Sequence, residues 1–295
     1  MRIRKKWLAL LAICAVVGTT GCTNNGKTDT VANVEGLDKL GNVQVISRED
    51  GSGTRSTFAE LAGFAAAKKN DVAASDETTK DAQIAKNAEE VIAAVQKNES
   101  AVGYVSKGAL DDDSGVKTLS VNGASADGSS KYPLSRSFYL AYSGELNDAE
   151  QDFLTYVRGA GQSIVEESYG TVGKSSTFLS NQAGGTITIS GSTSVAPLME
   201  ELADAYMQLN TNVQITVEES DSSQGLTKAM SGECNFGMAS RELKDYESEL
   251  LDYEAIAKDD IAVIVNEGNP LGDISLDVLR KIYIGDIKSW EELNS

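Results

Sequence analysis

Three stretches of the chain gather glycines and small hydroxyl residues where an extended segment gives way to a helical one. They are Ser47 to Arg55 (SREDGSGTR), Ser190 to Pro197 (SGSTSVAP) and Glu219 to Gly225 (ESDSSQG). A helix N-terminus presents unpaired backbone N–H groups and the positive end of the peptide dipole, and Ser or Thr hydroxyls beside it add short neutral donors. Such a junction can hold an anion. Gly51 and Gly53 would let the main chain approach an oxyanion with no Cβ in the way. The same residue types are the preferred helix N-caps, so each junction alone reads as a cap, and only the meeting of several makes a site.

Other chemistries fall away. The 295 residues include no His, which removes the Ser-His-Asp triad, the Cys-His pair and His-ligated zinc. A hydroxyl nucleophile at Ser52 or Ser194 would have to rely on a Lys as its base. Gly173-Lys174-Ser175 looks like the end of a P-loop, but the position five before the Gly-Lys pair is Ser168 rather than Gly. Asp111-Asp112-Asp113 lacks the Gly and terminal Glu of a calcium loop and reads as a solvated turn. No metal and no cofactor is expected. With 26 Lys+Arg against 44 Asp+Glu and a pI near 4.4, nucleic acid is not an expected partner.

The elements that must position these junctions alternate. Val43 to Ser47 reads as a strand leading into a helix on which Phe58, Leu61, Ala62 and Ala65 share a face. A helix over NAEEVIAAVQKN, strands over AVGYVS, VKTLSV and PLSRSFYLAY, and one long helix from Asn147 to about Glu167 follow. After a Gly/Ser-rich link, TITIS opens a second series with a helix carrying Val195, Leu198, Met199, Leu202 and Tyr206 on one face. VQITV, a helix near Gly225 to Met230, FGMAS, AIAKDDIAVIVN and a helix from Ser275 complete it. The alternation predicts an α/β fold with mostly parallel sheets.

Residues 1–21 read as an export signal, with Arg2, Arg4, Lys5 and Lys6 before an apolar run too short to span a bilayer. Gly21-Cys22 resembles a bacterial lipobox, although Thr19 stands where Leu is usual. Cys22 is the expected lipidation site, and 22–37 a flexible tether. The expected location is outside the cytoplasm, on the cell membrane, with the lipid as the membrane contact. Cys234 reads as a small buried hydrophobe.

Residues 186–293 resemble the first half of the phosphate-binding proteins of bacterial ABC importers, through ITISGSTSVAPLMEELADAY, VEESDSSQGLTKAMSGECNFGMASRELKD, AIAKDDIAVIVN and LRKIYIGDIKSWEEL. Residues 43–178 resemble the second half, through VISREDGSGTRSTF, VGYVS and PLSRSFYLAYSG. The order is exchanged: in the family the segment like IYIGDIKSWEEL runs directly into the one like VISREDGSGTR. Each segment occurs once, which implies a circular permutation of one module.

The resemblance implies a two-lobed periplasmic-binding-protein-like (type II) fold. One lobe comprises 38–136 plus 264–295 and the other 137–263, with crossings near 137–142 and 258–266 as the hinge. It implies inorganic phosphate held between the lobes by Thr193, Ser194, Ser222 and Ser240 from one side and Arg48, Ser52, Gly53 and Thr54 from the other. Arg48 would be the main countercharge and Arg55 a second candidate. At MASRELKD, where many relatives place an Asp that accepts the anion's proton, this chain has Ser240-Arg241. The acceptor is then Asp221, Glu242 or Asp50, or is missing, and Arg241 either touches the anion or pairs with Glu242. The implied role is a monomeric receptor that passes phosphate to ABC permease subunits. A receptor for sulfate or molybdate, or a surface sensor or interaction protein of the same fold, is the alternative.

Overall fold

A computed structural model describes residues 34–65, 76–111, 113–128 and 130–294; the export segment and Cys22 lie outside the described residues. The first apolar run forms β1 (Gln44–Arg48), and Ser52 stops it by capping α1 (Gly53–Leu61), its hydroxyl accepting from Arg55 N–H. Then come β2 (Gln83–Ala85), α2 (Ala88–Gln96), β3 (Ala101–Ser106), β4 (Val116–Val121) and β5 (Ser135–Tyr142).

The single long helix expected from Asn147 is two helices, α3 (Asp148–Arg158) and α4 (Gln162–Ser168). Asn147 and Glu150 form a capping box at its start. Gly159-Ala160-Gly161 interrupts it, because a Cβ on Gly161 would lie 2.8 Å from Leu202 Cδ2, and the neighbouring helix needs that space. The second series is β6 (Gly185–Ser192), α5 (Ala196–Leu209), β7 (Val213–Ser220), α6 (Ser222–Ser231), β8 (Phe236–Ala239) and α7 (Asp245–Leu250). The 15-residue β9 (Asp252–Asn266), β10 (Asp273–Ile274) and α8 (Leu276–Ile284) follow.

The strands are ordered β2-β1-β3-β9-β5-β8-β6-β7, with β4 beside β9 and β10 beside β4. The sheet is mixed rather than mostly parallel. β1 pairs parallel with β2 and β3, and β6 with β7 and β8, but β9 runs antiparallel to β3, β4 and β5, and β5 antiparallel to β8. The cause is β9 itself. Its first part pairs with β5 and its last part with β3 and β4, so one strand threads both halves of the molecule against the direction of its neighbours.

The apolar side chains pack into two main bodies. The first holds Phe58, Val91, Tyr104 and Leu134 from the early chain with Ile261 to Val265, Leu279, Tyr283 and Trp290 from the late chain. The second holds Phe138, Phe153, Leu202, Tyr206, Phe236 and Ile256. Ile261, Ala262 and Val263, expected on the second side, pack in the first core. Leu37, expected in the tether, is also buried there, because it supplies an apolar side chain that the core covers. The two ends of the described chain meet: Val34 N–H donates to Asn294 Oδ1 at 3.0 Å, and Val43 N–H to the Lys288 carbonyl at 2.8 Å. Cys234 is buried, as its apolar surroundings led us to expect, and burial pushes its thiol up to about 11. Among the described residues no helix is long and apolar enough to cross a membrane.

Candidate functional site

The three hydroxyl stretches converge where the two bodies face one another. Arg48 ends β1, and its backbone N–H donates to Tyr104 Oη at 3.2 Å, while Tyr104 Oη also meets Ser47 Oγ at 2.9 Å. Tyr104 stacks on Phe58 of α1 with ring centroids 4.0 Å apart, which ties the end of β1 to the helix that follows. Burial pushes the Tyr104 phenol up to about 12, so it serves as a neutral hydroxyl.

From this base the Arg48 guanidinium, 2% exposed, reaches across. Nη2 donates to the Lys86 carbonyl at 2.9 Å and to Thr193 Oγ1 at 3.0 Å, while Nε and Nη2 bind the Glu49 carboxylate at 3.0 and 2.9 Å. Thr54, in the first turn of α1, meets Ser194 hydroxyl to hydroxyl at 2.8 Å. Gly53 packs face on against the opposite body: a Cβ there would lie 2.4 Å from Ser222 Oγ and 2.5 Å from Ser240 Oγ. Ser222 opens α6, and its Oγ accepts from Ser240 N–H at 3.2 Å. Ser52, Thr54, Ser194, Ser222 and Ser240 are all buried. The structure therefore brings Arg48, Ser52, Gly53, Thr54, Thr193, Ser194, Ser222 and Ser240 together.

Sequence reasoning passed over other members of this neighbourhood. Ser192 lies among them, its hydroxyl donating to Ser240 Oγ at 2.9 Å. Arg136 of β5 and Asp259 of β9 form a buried ion pair, with Arg136 Nη2 2.8 Å from Asp259 Oδ2. Burial pushes the Asp259 carboxyl up and the Arg136 guanidinium down, each opposed by the other's charge. The signal was present: each is a charge inside an otherwise apolar strand, a placement that requires a partner.

Arg55 turns to Asp76, with Nε 2.6 Å from Oδ2, and to Asp50, leaving no role as a countercharge at the hydroxyl cluster. Arg241 does not pair with the Glu242 carboxylate. Its Nη1 and Nη2 bind the Glu247 carboxylate at 2.7 and 2.8 Å, and Glu242 supplies only its backbone carbonyl, at 2.9 Å.

Of the three carboxylates considered as proton acceptors, Asp50 is 96% exposed and Glu242 takes the Tyr139 hydroxyl. Asp221 caps α6 through Gln224 N–H at 2.8 Å, beside the position a Gly51 Cβ would fill.

The Arg241–Glu247 pair makes a stability prediction. Burial alone would push the Glu247 carboxyl up, but bonds from Arg241 and Lys244 N–H outweigh it and hold it below the usual range. A depressed folded-state value means stability that is complete above the unfolded Glu pKa of about 4.3 and lost as pH falls through the folded value. Glu247→Gln leaves Arg241 buried without its countercharge, for an expected loss of about 3 kcal/mol. The denaturation midpoint at neutral pH reads this directly, and the difference from the native protein should shrink as the pH is lowered below about 4.

The chain as a whole is similar to known proteins. Residues 176–295 match the family described as PBP superfamily domain. Phosphate-binding protein PstS 2 of Streptococcus pneumoniae serotype 4 is 36% identical over 299 residues, covering 98% of this chain and 99% of that protein. The crystal structure of a phosphate ABC transporter phosphate-binding protein from the same species superposes with a TM-score of 0.70 at 36% identity, covering 86% of this chain and all of that one. Phosphate-binding protein PstS of Staphylococcus haemolyticus is 34% identical over 113 residues, 36% of each chain.

Proposed function

The chain belongs to the phosphate-binding proteins of ABC transporters, and from that membership we propose that inorganic phosphate is captured where the hydroxyl stretches converge and is then delivered to ABC permease subunits. A member of this family binds and releases its ligand and is not an enzyme. The observation that carries the site is the close approach of Gly53 to Ser222 and Ser240, which sets donors from both bodies around one small volume.

Arg48 supplies the positive charge. Ser52, Thr193, Ser194, Ser222 and Ser240 supply hydroxyl donors, Thr54 acts on the ligand through its contact with Ser194, and Gly53 supplies the close main-chain approach. Oriented donors within about 3 Å of an anion outweigh surface carboxylates beyond a Debye length of about 8 Å, so an acidic protein can hold a dianion. Arg241 we assign to Glu247 rather than to the ligand. The two bodies act as lobes, with β5 and β9 as the hinge between them.

Two further readings accompany this one. The export signal and Cys22 make the protein an extracytoplasmic receptor tethered by lipid, and it works as a monomer. The permuted order is supported by the full-length match to one relative beside a match to about a third of another, and by the meeting of residues 34–43 with 288–294, where the family's chain would run straight through.

Calorimetric titration of the purified protein tests the function. Phosphate should saturate a single site at neutral pH. Excess sulfate should compete measurably, because Asp50 is exposed beside Arg55, Glu242 takes the Tyr139 hydroxyl and Asp221 is committed to Gln224, so none is dedicated to the proton that distinguishes hydrogen phosphate from sulfate. Sulfate or molybdate binding more tightly than phosphate would change the cargo, and no heat with any of them would leave the fold with a different role.

A further inference from the structure

The Arg136–Asp259 pair stands at the crossing point of the two strands that join the bodies. The two residues are directly opposed in the antiparallel register of β5 and β9. Their side chains are 2% and 0% exposed. Arg136 Nε and Nη2 both bind Asp259 Oδ2, at 2.9 and 2.8 Å, and Ser106 Oγ donates to Asp259 Oδ1 at 2.9 Å. Both carboxylate oxygens are thus engaged and the guanidinium plane is clamped. Only Nη1 extends beyond the pair, and it donates to Thr54 Oγ1 at 2.7 Å and to the Ser240 carbonyl at 3.2 Å. One nitrogen therefore touches the first turn of α1 in one body and the end of β8 in the other.

We propose that Arg136, clamped by Asp259, is a positioning residue for phosphate: it orients the hydroxyl protons of the pocket toward the ligand through Thr54. A guanidinium can only donate, so Thr54 Oγ1 must accept from it. Either hydroxyl could donate in the 2.8 Å contact between Thr54 and Ser194; in the proposed arrangement Thr54, already accepting from Arg136, gives its proton to Ser194 Oγ and the Ser194 proton is left for the anion. Fixed N–H groups act in the same sense elsewhere in the cluster. Ser194 N–H donates to Ser192 Oγ at 3.3 Å, Ser240 N–H donates to Ser222 Oγ, and Ser192 passes its own proton to Ser240 Oγ. Chains of this kind polarise cooperatively, so the fixed donor at the head of the chain sets the sense of those that follow. The result is a pocket whose free hydroxyl protons point inward, suited to the unprotonated oxygens of a tetrahedral oxyanion.

This inference rests on phosphate being the ligand, and the test separates the two. Phosphate affinity is measured by calorimetry for the native protein, Arg136→Gln, Thr54→Val, the double variant and Arg136→Lys, each with a melting curve. Arg136→Gln is expected to lose about 100-fold in affinity, and Thr54→Val about 10-fold, as for hydrogen bonds to a charged group. If Arg136 acts through Thr54, the double variant should bind no worse than Arg136→Gln alone. Arg136→Lys keeps the charge opposite Asp259 but cannot fork to Thr54 at the same time, so it should fold and still lose about 10-fold.

Losses that multiply in the double variant would make Arg136 a merely structural residue and overturn the proposal. So would Arg136→Lys binding as the native protein does, which is the deciding measurement if Arg136→Gln fails to fold. A native protein that takes up no phosphate instead removes the ligand assignment, and with it the premise of this inference.

Discussion

Gly53→Ala should abolish useful phosphate capture while leaving the protein folded. Gly53 is the first residue of α1, where alanine is at least as favourable to the helix as glycine. The three nearest atoms that a Cβ at Gly53 would meet all belong to the second body. The added methyl would lie 2.4 Å from Ser222 Oγ and 2.5 Å from Ser240 Oγ, closer than packed atoms allow, and 3.1 Å from the Ser240 carbonyl carbon, a tight contact. Relief requires the Ser222 and Ser240 hydroxyls to swing out of the pocket or the two bodies to part, and either one spoils the arrangement that holds the ligand.

Overpacking of this kind costs about 1–3 kcal/mol, and here the whole cost falls on the closed arrangement that holds the ligand. Affinity should fall by about 100-fold, because a ligand that needs the closed state must bring it back at its own expense. Calorimetry with phosphate and a melting curve on the same sample check both halves. Native affinity in Gly53→Ala would mean that Ser222 and Ser240 do not close over Gly53 when phosphate is bound.

The part of this site that could be read in advance is the part written in local spacing. Ser52-Gly53-Thr54 and Ser222 stand at the start of a helix and Thr193-Ser194 in the turn just before one, and capping chemistry and anion chemistry ask for the same residue types at such junctions. Hence the segments identified themselves before their convergence was known. What stayed hidden depends on register between distant strands. Arg136 and Asp259 are 123 residues apart, and only the antiparallel course of β9 sets them opposite one another.

The same strand explains why an expectation of mostly parallel pairing did not hold. The alternation of strands and helices was legible, but the reversal of one long strand shared by both bodies was not. Arg241 shows a smaller version of the problem. Its neighbour Glu242 was the obvious partner along the chain, yet α7 turns Glu247 back onto the guanidinium and leaves Glu242 to Tyr139. The break between α3 and α4 was legible locally in Gly159-Ala160-Gly161, whereas the close approach of Leu202 to Gly161 was not.

Arg48→Ala is expected to have the largest effect on binding of any single change. The guanidinium already spans the two bodies, from the Lys86 carbonyl to Thr193 Oγ1, and Glu49 holds its plane through Nε and Nη2. Among the described residues Nη1 makes no hydrogen bond, which leaves one arm of the fork for an oxyanion. Removing a buried charged partner from such a contact costs about 2–5 kcal/mol, so phosphate affinity should drop by about 1000-fold.

Stability should drop far less, since Glu49 is about a quarter exposed and can be solvated when its partner is gone. Arg48→Lys separates charge from geometry: it restores the positive charge but replaces a planar fork with a point donor, and about 10- to 100-fold of the loss should persist. Titration of the two variants beside their melting curves reads the difference. If the lysine variant binds as tightly as the native protein, Arg48 contributes only charge; if the alanine variant does, phosphate is held somewhere other than between Arg48 and the hydroxyls it faces.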